Sequence, residues 1–433
     1  MRFVKINLFI LVLLYTTLPQ REAQACSMYK LSADGKTMVG CNEDAWRTTS
    51  NIWFENALES GQYGAAFTGS RQVSAGRTAP QSGMNEAGLV FSRLVAYHPI
   101  EENLFTDRLQ IRDEVDYLSA ILHQCATVEE VKEFIEKYDH SIFIDDVYIY
   151  VDKKGDYLLV EPYSLTLGSD PYYVLSNFCP SITSNEQARN LERYRNGADL
   201  LSNSELSSSL SFCTTVSDTM HVCRGRNNDG TLLTSIWNTE DLLVNLYFYH
   251  SFDQTVQFDL REELAKGDHL LHVPDLFPIN EDFERLTTYK TPFNTPVLRV
   301  LLFVLGLVLL FFCLLWTIAV IVDKKKNLSF GAVALISLMN SILCYYMFVL
   351  ATNIYIYYFD APYEHYHSAL ITASSYVPFL LLLILPLFGY WTLGKLKSKS
   401  LRNWTKALFA MNNMIYIALV MGFAYWGLYS FWV

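Results

Sequence analysis

The residue with the most chemistry to offer is Cys26, because of what precedes it. Residues 1–25 carry Arg2 and Lys5, then the apolar run Leu8 to Tyr15, then Ala23-Gln24-Ala25 directly before Cys26. Small residues at the last and third-last positions suit signal peptidase, so the segment is expected to be a removable secretory signal; the apolar run is short for a retained anchor. Cleavage would leave a thiol and a free α-amine on one residue. An α-amine titrates at about pH 8, so it can accept the thiol's proton and later return it to a leaving group. Enzymes that use their own N-terminus combine nucleophile and base in this way.

Such a cysteine needs partners, and the following residues bring one near. Ser27 to Leu31 and Thr37 to Gly40 flank Asp34-Gly35, a strong two-residue hairpin turn. With that turn, Cys26 falls opposite Glu43 and beside Asp44, which would hold the ammonium through a charge-assisted hydrogen bond. Asp44 would equally serve as a solvated turn acid or as the cap of a following helix. Cys41 falls opposite residue 28, close enough to Cys26 to suggest either a disulfide that switches the thiol off under oxidation or a small buried thiol.

The elements that must position these groups lie between Cys26 and about residue 267. Phe143 to Val151, Tyr157 to Val160, Tyr172 to Ser176, Leu232 to Trp237 and Leu242 to Tyr249 are rich in β-branched and aromatic residues and predict strands. Asp113 to His123 and Val128 to Tyr138 have helical spacing, the second opened by Thr127 and Glu130 as a capping box. Glu186 to Leu201 reads as a third helix. A span of about 240 residues suffices for one large α+β domain. Residues 268–296, with four prolines and no periodicity, read as a linker.

Beyond the linker the composition changes. The chain is 51% hydrophobic and only 18% charged, and four stretches are long enough to span a bilayer without a charge: Val300 to Val322, Leu328 to Phe359, Ser368 to Gly394 and Ala407 to Val433. Residues 297–433 are therefore expected to form four transmembrane helices. Lys324 to Lys326 follow the first stretch, and Lys395, Lys397, Lys399, Arg402 and Lys406 separate the third from the fourth. By the positive-inside rule both loops are cytoplasmic, which puts residues 26–296 on the extracytoplasmic side. Tyr355, Tyr357, Tyr358 and Tyr363 fit an aromatic belt at the outer interface. Residues 26–296 carry a net charge of −19 against −11 for the whole chain, an acidity that argues against a nucleic-acid partner.

Six of the eight cysteines precede the spans, in a compartment that permits disulfides. Cys213 and Cys223 form either a disulfide across a turn or a pair of reduced thiols. No metal-type cysteine spacing occurs. The Asp360 to His367 segment, with Glu364, His365 and His367, reads as a solvated loop rather than a metal site. Asn340, Asn353, Asn412 and Asn413 read as interhelical hydrogen-bonding residues.

Several stretches together resemble the choloylglycine hydrolase and penicillin V acylase group of N-terminal cysteine amidases, which includes relatives of isopenicillin N acyltransferase. Cys26-Ser27-Met28-Tyr29 leading to Gly40-Cys41-Asn42-Glu43-Asp44 resembles that group's nucleophile strand and its G-R-N-x-D return. Gly83-Met84-Asn85-Glu86-Ala87-Gly88-Leu89 is similar to its G-M-N-E-K-G-L turn, Val174-Leu175-Ser176-Asn177 to its V-L-T-N strand end, and Glu192-Arg193-Tyr194 to a later arginine motif. The landmarks run in family order over about residues 26–260; the four spans have no counterpart.

The resemblance implies a four-layer αββα sandwich of the N-terminal nucleophile (Ntn) hydrolase type, with Cys26 as nucleophile and Asp44 as partner of its amine. It further implies the Asn177 side-chain amide and the Val95 backbone N–H as oxyanion donors, with Arg193 as an electrostatic partner. The chain departs from the pattern at Cys41, where much of the group has an arginine near the nucleophile. The expected activity is hydrolysis of a linear C–N amide bond in a small N-acyl substrate, with amphipathic or lipid-like amides among the candidates, through a thioester on Cys26. No cofactor is implied, since thiol and amine complete the catalytic pair. The rival reading is a non-catalytic binding or sensor module anchored by a lipid on Cys26; Ala23-Gln24-Ala25 matches a lipobox poorly, and lipidation would block both reactive groups. A transporter reading is disfavoured by the absence of charges inside the spans.

Overall fold

Asp34 and Gly35 take left-handed backbone angles, φ 54° and 72°, as a primed two-residue turn requires. In this computed structural model the turn joins β1 (Ser27–Ala33) to β2 (Lys36–Ala45), with Ser27 opposite Asn42 and Met28 opposite Cys41, the register the turn predicts. Gly40 lies across from Tyr29. A Cβ there would come within 2.2 Å of the Tyr29 ring, so only glycine lets the ring lie over the strand and its hydroxyl reach Cys213 O at 2.5 Å.

The structure describes residues 26–45, 48–73, 76–102, 105–223, 230–323, 330–358, 361, 363 and 368–430. The expectations for the leader 1–25, for Lys324 to Lys326 and for Asp360, Glu364, His365 and His367 lie outside the described residues. The remaining strands are β3 (Asn51–Glu55), β4 (Ala65–Gly69), β5 (Ser82–Asn85), β6 (Val90–Val95), the short parallel pair β7 (Leu109–Gln110) and β8 (Tyr138–Asp139), β9 (Asp146–Val151), β10 (Tyr157–Val160), β11 (Leu165–Gly168), β12 (Tyr172–Leu175), β13 (Gly230–Asn238), β14 (Leu243–Phe248), β15 (Val256–Asp259) and β16 (His269–His272).

Two antiparallel sheets result, one ordered β12-β1-β2-β13-β14-β15 and the other β11-β10-β9-β6-β5-β4-β3-β16. They face each other, and the hydroxyls of Ser82 on β5 and Ser235 on β13 meet at 3.1 Å between them. Helices α1 (Glu114–Gln124) and α2 (Val128–Ile135) cover the outer face of the larger sheet, where Leu118, Leu122 and Val131 pack with Tyr148 and Leu158. Thr127 and Glu130 close α2 as the capping box expected of them. Two further helices cover the smaller sheet, where Leu201, Val216 and Met220 pack on Tyr29, Met38 and Ile236. The domain is thus a four-layer αββα sandwich.

Three sequence-based expectations need correction. The single helix over Glu186 to Leu201 is two, α3 (Asn185–Ala188) and α4 (Glu192–Asn203), because the Ser184–Gln187 capping box starts the first and the chain breaks before Leu191. Cys213 lies inside helix α5 (Leu210–Met220), capped by Ser209, and is a buried free thiol, so the Cys213–Cys223 disulfide is not formed. The stretch 268–296 is not all linker. Its β16 pairs with β3 at the edge of the larger sheet, and after α6 (Leu260–Leu264) it also forms α7 (Glu281–Thr288); the compact unit runs to Tyr289.

His140 provides a pH handle on this unit. It is buried among Tyr117, Phe143 and Tyr148, and among the described residues neither ring nitrogen has a hydrogen-bond partner. Burial, reinforced by Arg93, pushes the imidazole down to about 3 from its ordinary value of 6.5. Between those values the unfolded chain binds the proton and the folded chain does not, so this contribution is intact above pH 6.5 and stability falls as pH falls toward 3. The expected slope is about 1.4 kcal/mol per pH unit. Denaturant unfolding at pH 7 and pH 5 should show the native chain losing about 2 kcal/mol more than a His140→Phe variant.

The second unit begins at Lys290. Its long helices are α8 (Pro296–Asp323), α9 (Phe330–Thr352), α11 (Val377–Leu396), preceded by the short α10 (Ala369–Ser374), and α12 (Asn403–Tyr425). Four helical stretches are long and apolar enough to cross a membrane. Asn412 on α12 accepts from Trp316 on α8 at 3.1 Å and from Asn340 on α9 at 3.0 Å, while Tyr416 donates to Asn340 at 2.7 Å. The asparagines therefore tie helices together, the role expected for Asn340 and Asn412. Tyr357, Tyr358 and Tyr363 are buried within the unit instead of forming an exposed belt; Tyr357 donates to Leu350 O at 2.7 Å. That carbonyl, in the last turn of α9, is one a helix end leaves without an intrahelical donor.

Candidate active site

Cys26 sits directly before β1, between the ends of β12 and β2, with a left-handed φ of 56° that is uncommon for a non-glycine residue. Ser176, just past β12, donates to its carbonyl oxygen at 3.3 Å. On the other side the β1–β2 hairpin carries Glu43 and Asp44 past it. Asp44 accepts from Thr231 Oγ1 at 2.6 Å and pairs with Arg193, the first-turn arginine of α4. The other guanidinium nitrogen of Arg193 donates to Asn177 Oδ1 at 2.6 Å, and Asn177 Nδ2 donates to Val95 O at 2.7 Å. One buried hydrogen-bonded chain therefore runs from Thr231 through Asp44, Arg193 and Asn177 to Val95.

All five residues singled out from the sequence, Cys26, Asp44, Asn177, Val95 and Arg193, are brought to one place, from five separate parts of the fold. The Asn177 amide rests on the Val95 carbonyl. Arg93 N–H donates to Gln81 O on one side of β6 and Ala96 N–H donates to Asp145 O on the other. Since N–H groups alternate along an extended strand, that of Val95 faces the Gln81 side. Gln81 Nε2 lies 3.5 Å from Cys26 Sγ, so the Val95 N–H points toward the edge where the thiol lies.

The Asn85 motif explains why β6 is so placed. Asn85 Oδ1 accepts from Ala87 N and Leu89 N at 3.1 and 3.0 Å, and its Nδ2 donates to Leu122 O and Cys125 O at the end of α1. Gly88 follows at φ 83°, with Thr239 O within 2.5 Å of where a Cβ would be. The motif is a turn clamp that delivers Arg93 and Val95. Arg93 is itself fixed by two bonds to Asp146, at 2.8 and 2.6 Å, and one to Glu114 at 2.8 Å.

The electrostatics at the thiol run against ionisation. Burial, then the carboxylates of Asp44 and Glu43, push Cys26 up to about 12, while the Asp44 backbone N–H and Arg193 pull the other way. The thiol is protonated at neutral pH, so attack requires the proton to leave within the same step. Cys41 is likewise pushed up to about 12 by burial, a shift that the nearby hydroxyls of Ser92, Ser82 and Ser235 oppose, and it forms no disulfide with Cys26. It lines a narrow polar cleft between the sheets with Glu43, Gln81 and Arg93, which has room for about one water molecule.

Sequence reasoning missed Gln81, Ser176 and Thr231. Each reaches the site through pairing distant in the chain, and Thr231 does so at an irregularity in the β2–β13 register.

No family model and no curated protein matches the chain. Among solved structures it is similar to two variants of conjugated bile acid hydrolase from Clostridium perfringens, each at 16% identity and a TM-score of 0.44, over 59% of this chain and 97% of that one. It is also similar to penicillin V acylase from Agrobacterium tumefaciens, at 15% identity and a TM-score of 0.43, over 57% of this chain and 90% of that one.

Proposed function

We propose that the protein is a membrane-tethered amidase that cleaves a linear C–N amide bond of an N-acyl substrate, with Cys26 as its N-terminal nucleophile and the domain of residues 26–289 on the extracytoplasmic side. The observation that carries the reading is the hydrogen-bonded chain from buried Asp44 through Arg193 and Asn177 to the Val95 carbonyl, with Asp44 and Arg193 close enough to act on the Cys26 thiol. Polar groups buried as deeply as Asp44, Arg193 and Asn177 need mutual satisfaction.

Removal of residues 1–25 would free the α-amine of Cys26. In the first step the thiol proton passes to that amine as Sγ bonds to the substrate carbonyl carbon and the π pair moves to oxygen. The Asn177 amide and the Val95 N–H receive the oxyanion, the former by giving up its bond to Val95 O; one such donor typically contributes about 3–4 kcal/mol. Collapse breaks the C–N bond, the ammonium proton goes to the leaving nitrogen, and a thioester remains. Water then attacks the thioester by the same route, with the amine again taking and returning the proton. Asp44 holds the ammonium between steps, and Arg193 keeps Asp44 and Asn177 in register.

Two features support the placement. Lys395, Lys397, Lys399, Arg402 and Lys406 cluster between the last two spans, as expected of a cytoplasmic loop, and Cys26 follows a cleavable leader pattern. A tether would concentrate the enzyme where amphipathic N-acyl amides partition.

The test is the mass of the N-terminal peptide from protein purified out of its native membrane, followed by amine release from a panel of N-acyl amides. A peptide starting at unmodified Cys26, with turnover of at least one amide, is the expected result. A diacylated Cys26, or retention of residues 1–25, removes the free amine and leaves the anchored binding module in its place.

A further inference from the structure

We propose that Gln81 is a catalytic residue of this site: its carboxamide donates to Cys26 Sγ and stabilises the thiolate that develops as the sulfur attacks. The inference rests on the amidase reading for its context. The contact itself is geometric. Gln81 Nε2 stands 3.5 Å from Sγ and also donates to Arg93 O. A carboxamide nitrogen has two hydrogens, and anchoring one on a strand carbonyl aims the other at the sulfur.

The residue is held before the chemistry starts. Its N–H donates to Thr68 O at 2.7 Å and its carbonyl accepts from Arg93 N–H at 2.8 Å, so its backbone is clamped between β4 and β6. Arg93 is locked in turn by Asp146 and Glu114. A donor fixed in this way needs no reorganisation when charge appears on its acceptor.

The site also needs such a donor. Asp44 and Glu43 both oppose a negative sulfur, and position 41 holds a buried thiol in place of a positive charge. A fixed amide N–H supplies part of that stabilisation, and a positive charge at the same position would supply more. Gln81 gives up no proton; the thiol proton passes to the α-amine.

The experiment compares full-length protein carrying Gln81→Met, Gln81→Glu or Gln81→Lys with the native chain, following iodoacetamide alkylation of Cys26 by peptide mass on the rising limb of the pH profile. Loss of one hydrogen bond to a charged group is expected to slow alkylation about tenfold in Gln81→Met, equivalent to a displacement of about one pH unit. Gln81→Glu should be slower still, and Gln81→Lys at least as fast as the native chain. A merely structural role slows all three alike, and no role leaves all three unchanged; either result overturns the proposal. Should Gln81→Met fail to fold, the Glu and Lys variants, opposite in charge, decide it between them. If alkylation follows this order but no amide is turned over, the amidase reading falls and the Gln81 contact stands; turnover with an unordered series sinks only the contact.

Discussion

A Cys26→Ala chain is expected to lose amide turnover by about a thousandfold or more while keeping its fold. The sulfur is the group that bonds to the substrate carbonyl, and among the described residues no neighbour substitutes: the Ser176 hydroxyl bonds the Cys26 carbonyl and the Asn177 side chain, and burial pushes the Cys41 thiol up to about 12. Truncation removes one buried atom, so the stability cost is about 1 kcal/mol. Cys26→Ser sharpens the test. It keeps the α-amine, the shape and the oxyanion donors, but an alcohol gives up its proton far less readily than a thiol, so turnover is again expected to fall by orders of magnitude. Turnover numbers and unfolding midpoints of the two variants check the prediction. Native rates in either would move the nucleophile elsewhere and end the reading.

What could be read ahead of the structure follows from interaction range. The β1–β2 register was legible because Asp34-Gly35 admits essentially one turn, and that turn alone brings Asp44 past Cys26. The capping box at Thr127 and the membrane-length helices are also local patterns. Helix α5 was not legible. Its run of Ser, Thr, Phe and Val has weak helix propensity, and it is helical because Cys213, Val216 and Met220 cover Tyr29 and Ile236. The edge strand β16 was hidden for the same reason, since His269 to His272 acquire strand geometry only by pairing with β3.

The site divides along the same line. Cys26 and Asp44 emerge from the leader pattern and the hairpin. Asn177, Val95 and Arg193 were picked out by resemblance, and their meeting depends on β12, β6 and α4 converging, which no local pattern encodes. Gln81 had no signal at all. It acts from a position ahead of a short strand, and its importance appears only when its amide is seen between the Arg93 carbonyl and the Cys26 sulfur.

Arg193→Ala is expected to be the most destabilising single change in the site, at about 3–5 kcal/mol, out of a total that in domains of this kind is about 5–15 kcal/mol. The guanidinium is buried in the first turn of α4, where the helix dipole is unfavourable to a cation. Asp44 and Asn177 offset that cost, and Asp44 in turn is buried with Thr231 as its other partner. Removing Arg193 leaves a buried carboxylate without its counter-charge and takes from the Asn177 side-chain oxygen the shorter of its bonds, the Ser176 hydroxyl standing at 3.5 Å, so both stability and the oxyanion geometry suffer. Arg193→Lys keeps the charge, but a single ammonium cannot reproduce the fork that reaches Asp44 and Asn177 together; partial stability and poor turnover are expected. The pair Asp44→Asn with Arg193→Met should be less destabilised than the sum of the single changes by about 1–3 kcal/mol, because neither charge is then left alone. Denaturant unfolding of the native chain, the Asp44→Asn and Arg193→Met single variants and the double variant measures this coupling directly. Simple additivity would mean that the two charges do not sense each other, and Asp44 would then have no physical claim to orient the Cys26 amine through that pair.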